Sequence, residues 1–363
     1  MKVRRDSAAE RRLSQPGGWA VTGSSHRDLR ISGKIPERQE EEIVKTRRPN
    51  HPAAPHHRAP SKTFVLGLAA LLVALGLLAC GRPDADGAGG DGGNQRVVLQ
   101  NKGSDTLVNV AQAWAEAYRE IDPNVAVAVS GGGSGTGISS LINGTVDLAN
   151  SSRQMKQKEI DLALEQGVEP VEHVVGYDAL AIFLHHDNPI ESFTLEQLAE
   201  IYGENATIKT WSDLGVSVPG CESDEIIRIS RQNNSGTYVY FKDAVLGKER
   251  EYELGSRDMH GSKDVVDLVE KTPCAIGYSG LAYAVPHIQM PCIQTAEDGE
   301  CVTPSSATAA DGTYPIARPL FMLTSGQPEG VVASYLEWIL SDTGQCIIAE
   351  KGYAPVRAVN CSE

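Results

Sequence analysis

Three times in this chain a short β-rich run passes into a loop of Gly, Ser and Thr and then into a stretch with helical spacing. The runs are residues 96–100 (RVVLQ), 125–129 (VAVAV) and 226–230 (IIRIS), and the loops are 103–106, 131–137 and 231–237. After the first loop Leu107, Val110, Trp114, Ala117, Tyr118 and Ile121 recur at the helical period and stop before Pro123. Strand–loop–helix units in series predict an α/β fold on a parallel sheet, with its sites at the carboxyl ends of strands. The rest of the chain continues the alternation. Strands are expected at 147–151, 174–184 and 275–278. Helices are expected at 138–143, 159–166, 194–202, 238–246, 264–270, 330–340 and 344–349, with Thr194 as an N-cap. Trp114 and Trp338 fall on apolar helical stripes and read as core.

The loops share one chemistry. Each offers Gly for close backbone approach, a hydroxyl, and a helix start just behind it. A helix start carries about four free N–H groups and roughly half a positive charge. Three such starts converging would hold a small oxyanion with uncharged dipoles, and Arg231 would add a charge-assisted contact. Taken singly, a Ser or Thr there is a plain N-cap and a Gly-rich loop is a turn; the conjunction of three is what points to a ligand.

Enzyme signatures are absent. The chain has no G-x-S-x-G, no P-loop and no C-x-x-C, and G-x-G-x-x-G fails in the Gly-rich loop at 131–138. His185-His186 precedes Asp187-Asn188-Pro189 and reads as a turn. No cofactor and no metal site is expected.

Charge divides the chain. Residues 1–79 hold 14 Lys/Arg against 7 Asp/Glu, and the remainder holds 19 against 40, a net of −21. So acidic a body excludes nucleic acid as the main partner. The sign changes at residues 64–79, FVLGLAALLVALGLLA, a charge-free run that is short for a bilayer span of about 20 residues. It reads as the apolar core of a signal peptide, and its end, Leu77-Leu78-Ala79-Cys80, resembles a bacterial lipobox. The expected layout is a disordered leader over 1–61, a signal segment over 62–79, and a lipidated Cys80 opening a Gly/Asp-rich tether over 80–96. Setting Cys80 aside leaves Cys221, Cys274, Cys292, Cys301, Cys346 and Cys361, an even number suited to an oxidising compartment. Several pairings are open; closeness in sequence favours Cys292 with Cys301 and Cys346 with Cys361, leaving Cys221 with Cys274.

The blocks KGSDTL (102–107), SGGGSGTGISSLINGTVDLANSSR (130–153), RQNNSGTYVYF (231–241), AIGYSGLAYA (275–284) and YPIARPL (314–320) resemble the periplasmic phosphate-binding proteins of phosphate ABC transporters, over about 97–357. The resemblance implies a two-lobed type II periplasmic-binding-protein fold, each lobe a mixed sheet flanked by helices, with the ligand in the interlobe cleft. Lobe 1 would take 97–177 plus 286–363 and lobe 2 would take 178–285, with crossings at 175–179 and 283–287. The implied phosphate contacts fall on Ser104, Asp105 and Thr106, on Ser134 and Gly135, and on Arg231, Ser235, Gly236 and Thr237. Where well-known members carry a proton-accepting Asp, this chain reads Ser151-Ser152-Arg153. Ser152 or Asp105 then becomes the acceptor, Arg153 a second cation, and sulfate exclusion an open question. The implied protein is a non-enzymatic monomer, anchored through lipid on Cys80 at the outer side of the cytoplasmic membrane. It would pass inorganic phosphate to transmembrane permease subunits. The alternatives are another tetrahedral oxyanion, sulfate or molybdate, and a phosphatase-like hydrolase.

Overall fold

The computed structural model describes residues 96–361; the leader, signal segment, Cys80 and tether lie outside the described residues. The first part of the chain runs β1 (Val97–Gly103), α1 (Val108–Ile121), β2 (Val125–Ser130), α2 (Ser134–Ile142), β3 (Leu148–Ser151), α3 (Gln157–Glu165) and β4 (Pro170–His185). It continues through β5 (Ser192–Thr194), α4 (Leu195–Tyr202), β6 (Ile227–Arg231), α5 (Gly236–Phe241), β7 (Arg257–Met259), α6 (Ser262–Glu270) and β8 (Ala275–Gly280). The last part holds β9 (Ile288–Gln289), β10 (Cys292–Gln294), α7 (Ser306–Ala310), β11 (Ala317–Ser325), α8 (Gly330–Ile339) and α9 (Asp342–Glu350).

The main sheet has the order β2-β1-β3-β11-β4-β8-β6-β7. β1 lies parallel to β2 and β3, and β6 parallel to β7 and β8. These are the strand–loop–helix units of the sequence. They meet in the middle through antiparallel pairs. β4 pairs with β11 from Pro170 to Ala179, then with β8 from Leu180 to Leu184. One 16-residue strand therefore belongs to both halves of the sheet.

Packing explains why residues 179–184 of that strand are an unbroken apolar run. Successive side chains point to opposite faces. Leu180, Ile182 and Leu184 enter a core with Phe193, Tyr202, Trp211 and Tyr278, while Ala181 and Phe183 enter another with Ile229, Val265 and Val269. With both faces of this stretch covered, none of its six positions is left for a polar residue. In the other half Trp114 is fully buried among Leu99, Leu148, Tyr335 and Ile348, and its Nε1 donates to the Gly344 carbonyl at 2.7 Å. Trp338 packs at the margin of the same core.

The return between halves differs from the sequence expectation. β9 pairs with Leu184 and His185, β10 pairs with β5, and the Leu180 N–H donates to the Ile316 carbonyl at 3.1 Å. Residues 286–316 thus sit with the second half, and the chain crosses back at 314–317 rather than at 283–287. β11, the strand that receives it, has no expected counterpart. Pro319 removes a donor from the ladder, and the register shifts between Leu320 and Phe321, so the segment lacks a strand's sequence pattern.

The three disulfides are Cys221–Cys274, Cys292–Cys301 and Cys346–Cys361. No helix among the described residues is long and apolar enough to cross a membrane.

Candidate functional site

The carboxyl ends of β1, β3 and β6 and the starts of α2 and α5 come together where the two halves of the sheet face each other. Gly132 and Gly133, at φ 114° and 90°, take the chain through backbone conformations closed to most residues and deliver Ser134 to the start of α2. Helix α2 therefore begins four residues earlier than its apolar spacing indicates. Three hydroxyls from three loops then meet. Ser104 Oγ donates to Ser152 Oγ at 2.9 Å, Ser134 Oγ lies 3.4 Å from Ser152 Oγ, and the Ser152 N–H donates to Ser134 Oγ at 3.1 Å. All three residues are buried.

The second half closes over them. A Cβ on Gly236 would fall well inside contact distance of Ser134 Oγ and only 2.6 Å from Ser152 Oγ, so only Gly fits between the halves there. Thr106 Oγ1 and Thr237 Oγ1 meet across the gap at 3.1 Å. The Gly135 N–H donates to the Asn234 carbonyl at 2.9 Å, and Asn234 Nδ2 donates to the Gly132 carbonyl at 3.0 Å. Ser235 is the N-cap of α5, its Oγ accepting the Thr237 N–H at 3.1 Å.

Two guanidiniums complete the cluster. Arg231 is fully buried; it donates to Asp105 Oδ2 at 3.0 Å, the His260 carbonyl at 2.7 Å and Ser262 Oγ at 3.0 Å. Asp105 Oδ1 accepts the Gly132 N–H at 2.8 Å, so both oxygens of that carboxylate are engaged within the protein. The Tyr283 hydroxyl steadies the same loop from the second half, donating to the Asp105 carbonyl at 2.6 Å.

Arg318, on β11, is the second cation. It donates to Asp178 Oδ2 through Nη2 at 2.8 Å and Nε at 3.1 Å. It also reaches Thr237 Oγ1 at 3.1 Å and Thr106 Oγ1 at 3.3 Å, one hydroxyl from each half. Full burial pushes the Asp178 carboxyl above its ordinary range, while Arg318 and the Leu281 N–H pull it down.

Arg153, expected as the extra cation, is turned away. Its Nη1 and Nη2 bind Glu159 at 2.7 and 2.8 Å, at the start of α3. Of the expected site residues, Ser104, Asp105, Thr106, Ser134, Ser152, Arg231, Gly236 and Thr237 come together; Gly135 binds Asn234 at the edge, Ser235 caps a helix, and Arg153 stands apart. Arg318, Asp178, Asn234 and Tyr283 had no expected role. The one sequence signal for Arg318 is a lone charge inside the apolar block YPIARPL.

Chemically the cluster is a cage of groups that donate or accept as required. Hydroxyls do both, and the guanidiniums supply fixed forks of donors. Each cation is matched by one carboxylate, so the pocket is polar without a large net charge. That combination suits a small dehydrated oxyanion.

A domain described as the PBP superfamily domain matches residues 86–343. The phosphate-binding protein PstS of Pseudomonas aeruginosa is 35% identical over 289 residues, covering 76% of this chain and 87% of that protein. Protein SphX of Synechococcus elongatus is 31% identical over 276 residues, covering 73% of this chain and 79% of that protein. Among solved structures, a phosphate ABC transporter substrate-binding protein from Clostridium perfringens with bound phosphate superposes at a TM-score of 0.63 and 26% identity, covering 72% of this chain and all of that one. On the domain match and these two relatives, the chain belongs to the PBP superfamily, within the family of PstS phosphate-binding proteins.

Proposed function

We propose that this protein captures inorganic phosphate outside the cytoplasm and passes it to the permease subunits of a phosphate ABC transporter. One observation carries the reading: five buried hydroxyls and the buried Arg318 guanidinium, drawn from both halves of the sheet, lie at the ends of the same strands, and Asp105 ties the buried Arg231 to the loop that carries two of those hydroxyls. The C. perfringens neighbour, solved with phosphate, supports it. The anion enters between the halves, both sets of donors engage it, and the halves close by flexing where β4 and β11 cross. Lipid on Cys80 and the tether behind it would hold the monomer near its permease.

The site binds rather than reacts. The partners of Ser104, Ser134 and Ser152 are other hydroxyls and an amide, none of them a base able to take a hydroxyl proton. Ser152 stands in the acceptor position and can receive the proton of a phosphate oxygen, an interaction that fully ionised sulfate cannot offer. Calorimetric titration with phosphate, sulfate and molybdate tests the assignment. Phosphate should bind tightest, and stronger binding of sulfate or molybdate would overturn it.

Gly236→Ala gives a second check. The added methyl group meets Ser134 and Ser152 only when the halves approach. Overpacking of this kind costs about 1–3 kcal/mol, or roughly 5- to 150-fold in phosphate affinity. The melting temperature without phosphate should change little. An unchanged dissociation constant would show that the halves do not close on that glycine.

A further inference from the structure

We propose that Asn234 is a clasp across the anion cleft: it makes no contact with the anion, holds the two halves together once they meet, and so sets how slowly phosphate leaves. The proposal rests on the phosphate-binding reading above and adds to it the residue that governs release. In sequence Asn234 is one of two adjacent asparagines in a loop, and nothing local separates it from an ordinary turn residue.

Asn234 lies in the loop between β6 and α5, in the second half, and the hydrogen bonds of its side chain and of its carbonyl all go to the first. Its Nδ2 donates to the Gly132 carbonyl at 3.0 Å and to Thr136 Oγ1 at 3.3 Å, and its carbonyl accepts the Gly135 N–H at 2.9 Å. The last bond answers a need of α2. That helix starts behind Gly133, which has no side chain to cap it, so the N–H groups of its first turn need acceptors from elsewhere. The second half supplies one. Gly135, expected as an anion contact, therefore gives its N–H to Asn234.

The surface that receives Asn234 is bare backbone. A Cβ on Gly133 would lie 2.7 Å from the Asn234 carbonyl oxygen, and one on Gly135 would lie 3.2 Å from it. That surface is also fixed beforehand by contacts within the first half. Asp105 Oδ1 holds the Gly132 N–H at 2.8 Å, and the Gly103 carbonyl accepts the Gly133 N–H at 2.9 Å. The acceptors for Asn234 thus stand in place before the halves meet, and little freedom is lost there on closure. The kinetic consequence follows from where the bonds lie. Bonds between the halves exist only in the closed form, whereas the anion enters the open one. Their loss leaves association unchanged and speeds release.

The test follows release of radiolabelled phosphate after dilution into excess unlabelled phosphate, with the dissociation constant from calorimetry. It compares the parent, Asn234→Ala, Thr136→Val and the double variant. Asn234→Ala removes both Nδ2 bonds and should raise the release rate and the dissociation constant together, by about 5- to 150-fold. Apart from glycines, only Asn205 and Asp224 among the described residues have a left-handed backbone, so alanine fits at 234 without strain. The melting temperature without phosphate should therefore stay at the parental value. Thr136→Val removes one acceptor of the clasp and should speed release by about 2- to 10-fold, with no further effect once Asn234 is gone. Three results would overturn the clasp: release from Asn234→Ala at the parental rate, a lowered melting temperature of that variant without phosphate, or an equal effect of Thr136→Val in both backgrounds. A parent that binds no phosphate would overturn the function proposed above, and the clasp with it.

Discussion

Replacing Arg231 by Ala should nearly abolish phosphate binding while leaving a folded protein. Arg231 has no solvent exposure, and its guanidinium is held by Asp105, Ser262 and the His260 carbonyl. Removing one partner of such a buried charge pair costs about 3–5 kcal/mol, much of it because the other charge remains buried and uncompensated. Loss of the same guanidinium as a buried, hydrogen-bonded partner of the anion costs about 2–5 kcal/mol in binding, or roughly 30- to 5,000-fold in phosphate affinity. Arg231→Lys should recover only part of the loss, because an ammonium cannot reach Asp105, Ser262 and His260 with the same fork. The double variant Asp105→Asn/Arg231→Ala separates stability from binding. It relieves the unpaired carboxylate, so the melting temperature should recover while phosphate binding stays lost. Near-normal phosphate affinity in Arg231→Ala, measured by calorimetry, would remove this residue from the site.

The second large effect concerns stability. Asp178→Ala leaves Arg318 fully buried without its carboxylate, in the strand pair where the halves of the sheet join. The expected cost is again about 3–5 kcal/mol. At about 2–4 °C per kcal/mol for a domain of this size, the melting temperature should fall by roughly 6–20 °C. Replacing both partners by apolar residues of similar shape, Asp178→Leu with Arg318→Met, should restore most of that stability. It should not restore phosphate binding, because Thr106 and Thr237 lose the guanidinium that reaches them both. Thermal unfolding followed by circular dichroism, beside a phosphate titration of each variant, distinguishes the two roles. A melting temperature unchanged in Asp178→Ala would show that the pair is not essential to the join.

The parts of this site legible in the sequence are those whose chemistry is local. Ser104, Ser134 and Thr237 each sit in a Gly-containing loop between a β-rich run and a helical one, and a fold that places strand ends together places them together. Arg318 depends instead on β11, a strand whose proline hides it and whose neighbours, β4 and β3, lie more than a hundred residues earlier in the chain. Its partner Asp178 falls within an apolar run, where a charge has no visible reason until the opposite strand is known. Arg153 shows the reverse error. Standing beside Ser152, it reads as a ligand, but Glu159 in the first turn of α3 captures it. The return crossing at 314–317 escapes for a third reason. β9 and β10 are two and three residues long, too short to carry any periodic pattern, yet they decide which half holds residues 286–316.

A crystal structure of the protein grown with phosphate tests the central claim most directly. The anion should lie between the halves, within hydrogen-bond distance of Ser104, Ser134 or Ser152 on one side and of Thr237 or Arg231 on the other. Phosphate bound to one half alone, or anywhere outside this cluster, would contradict the account.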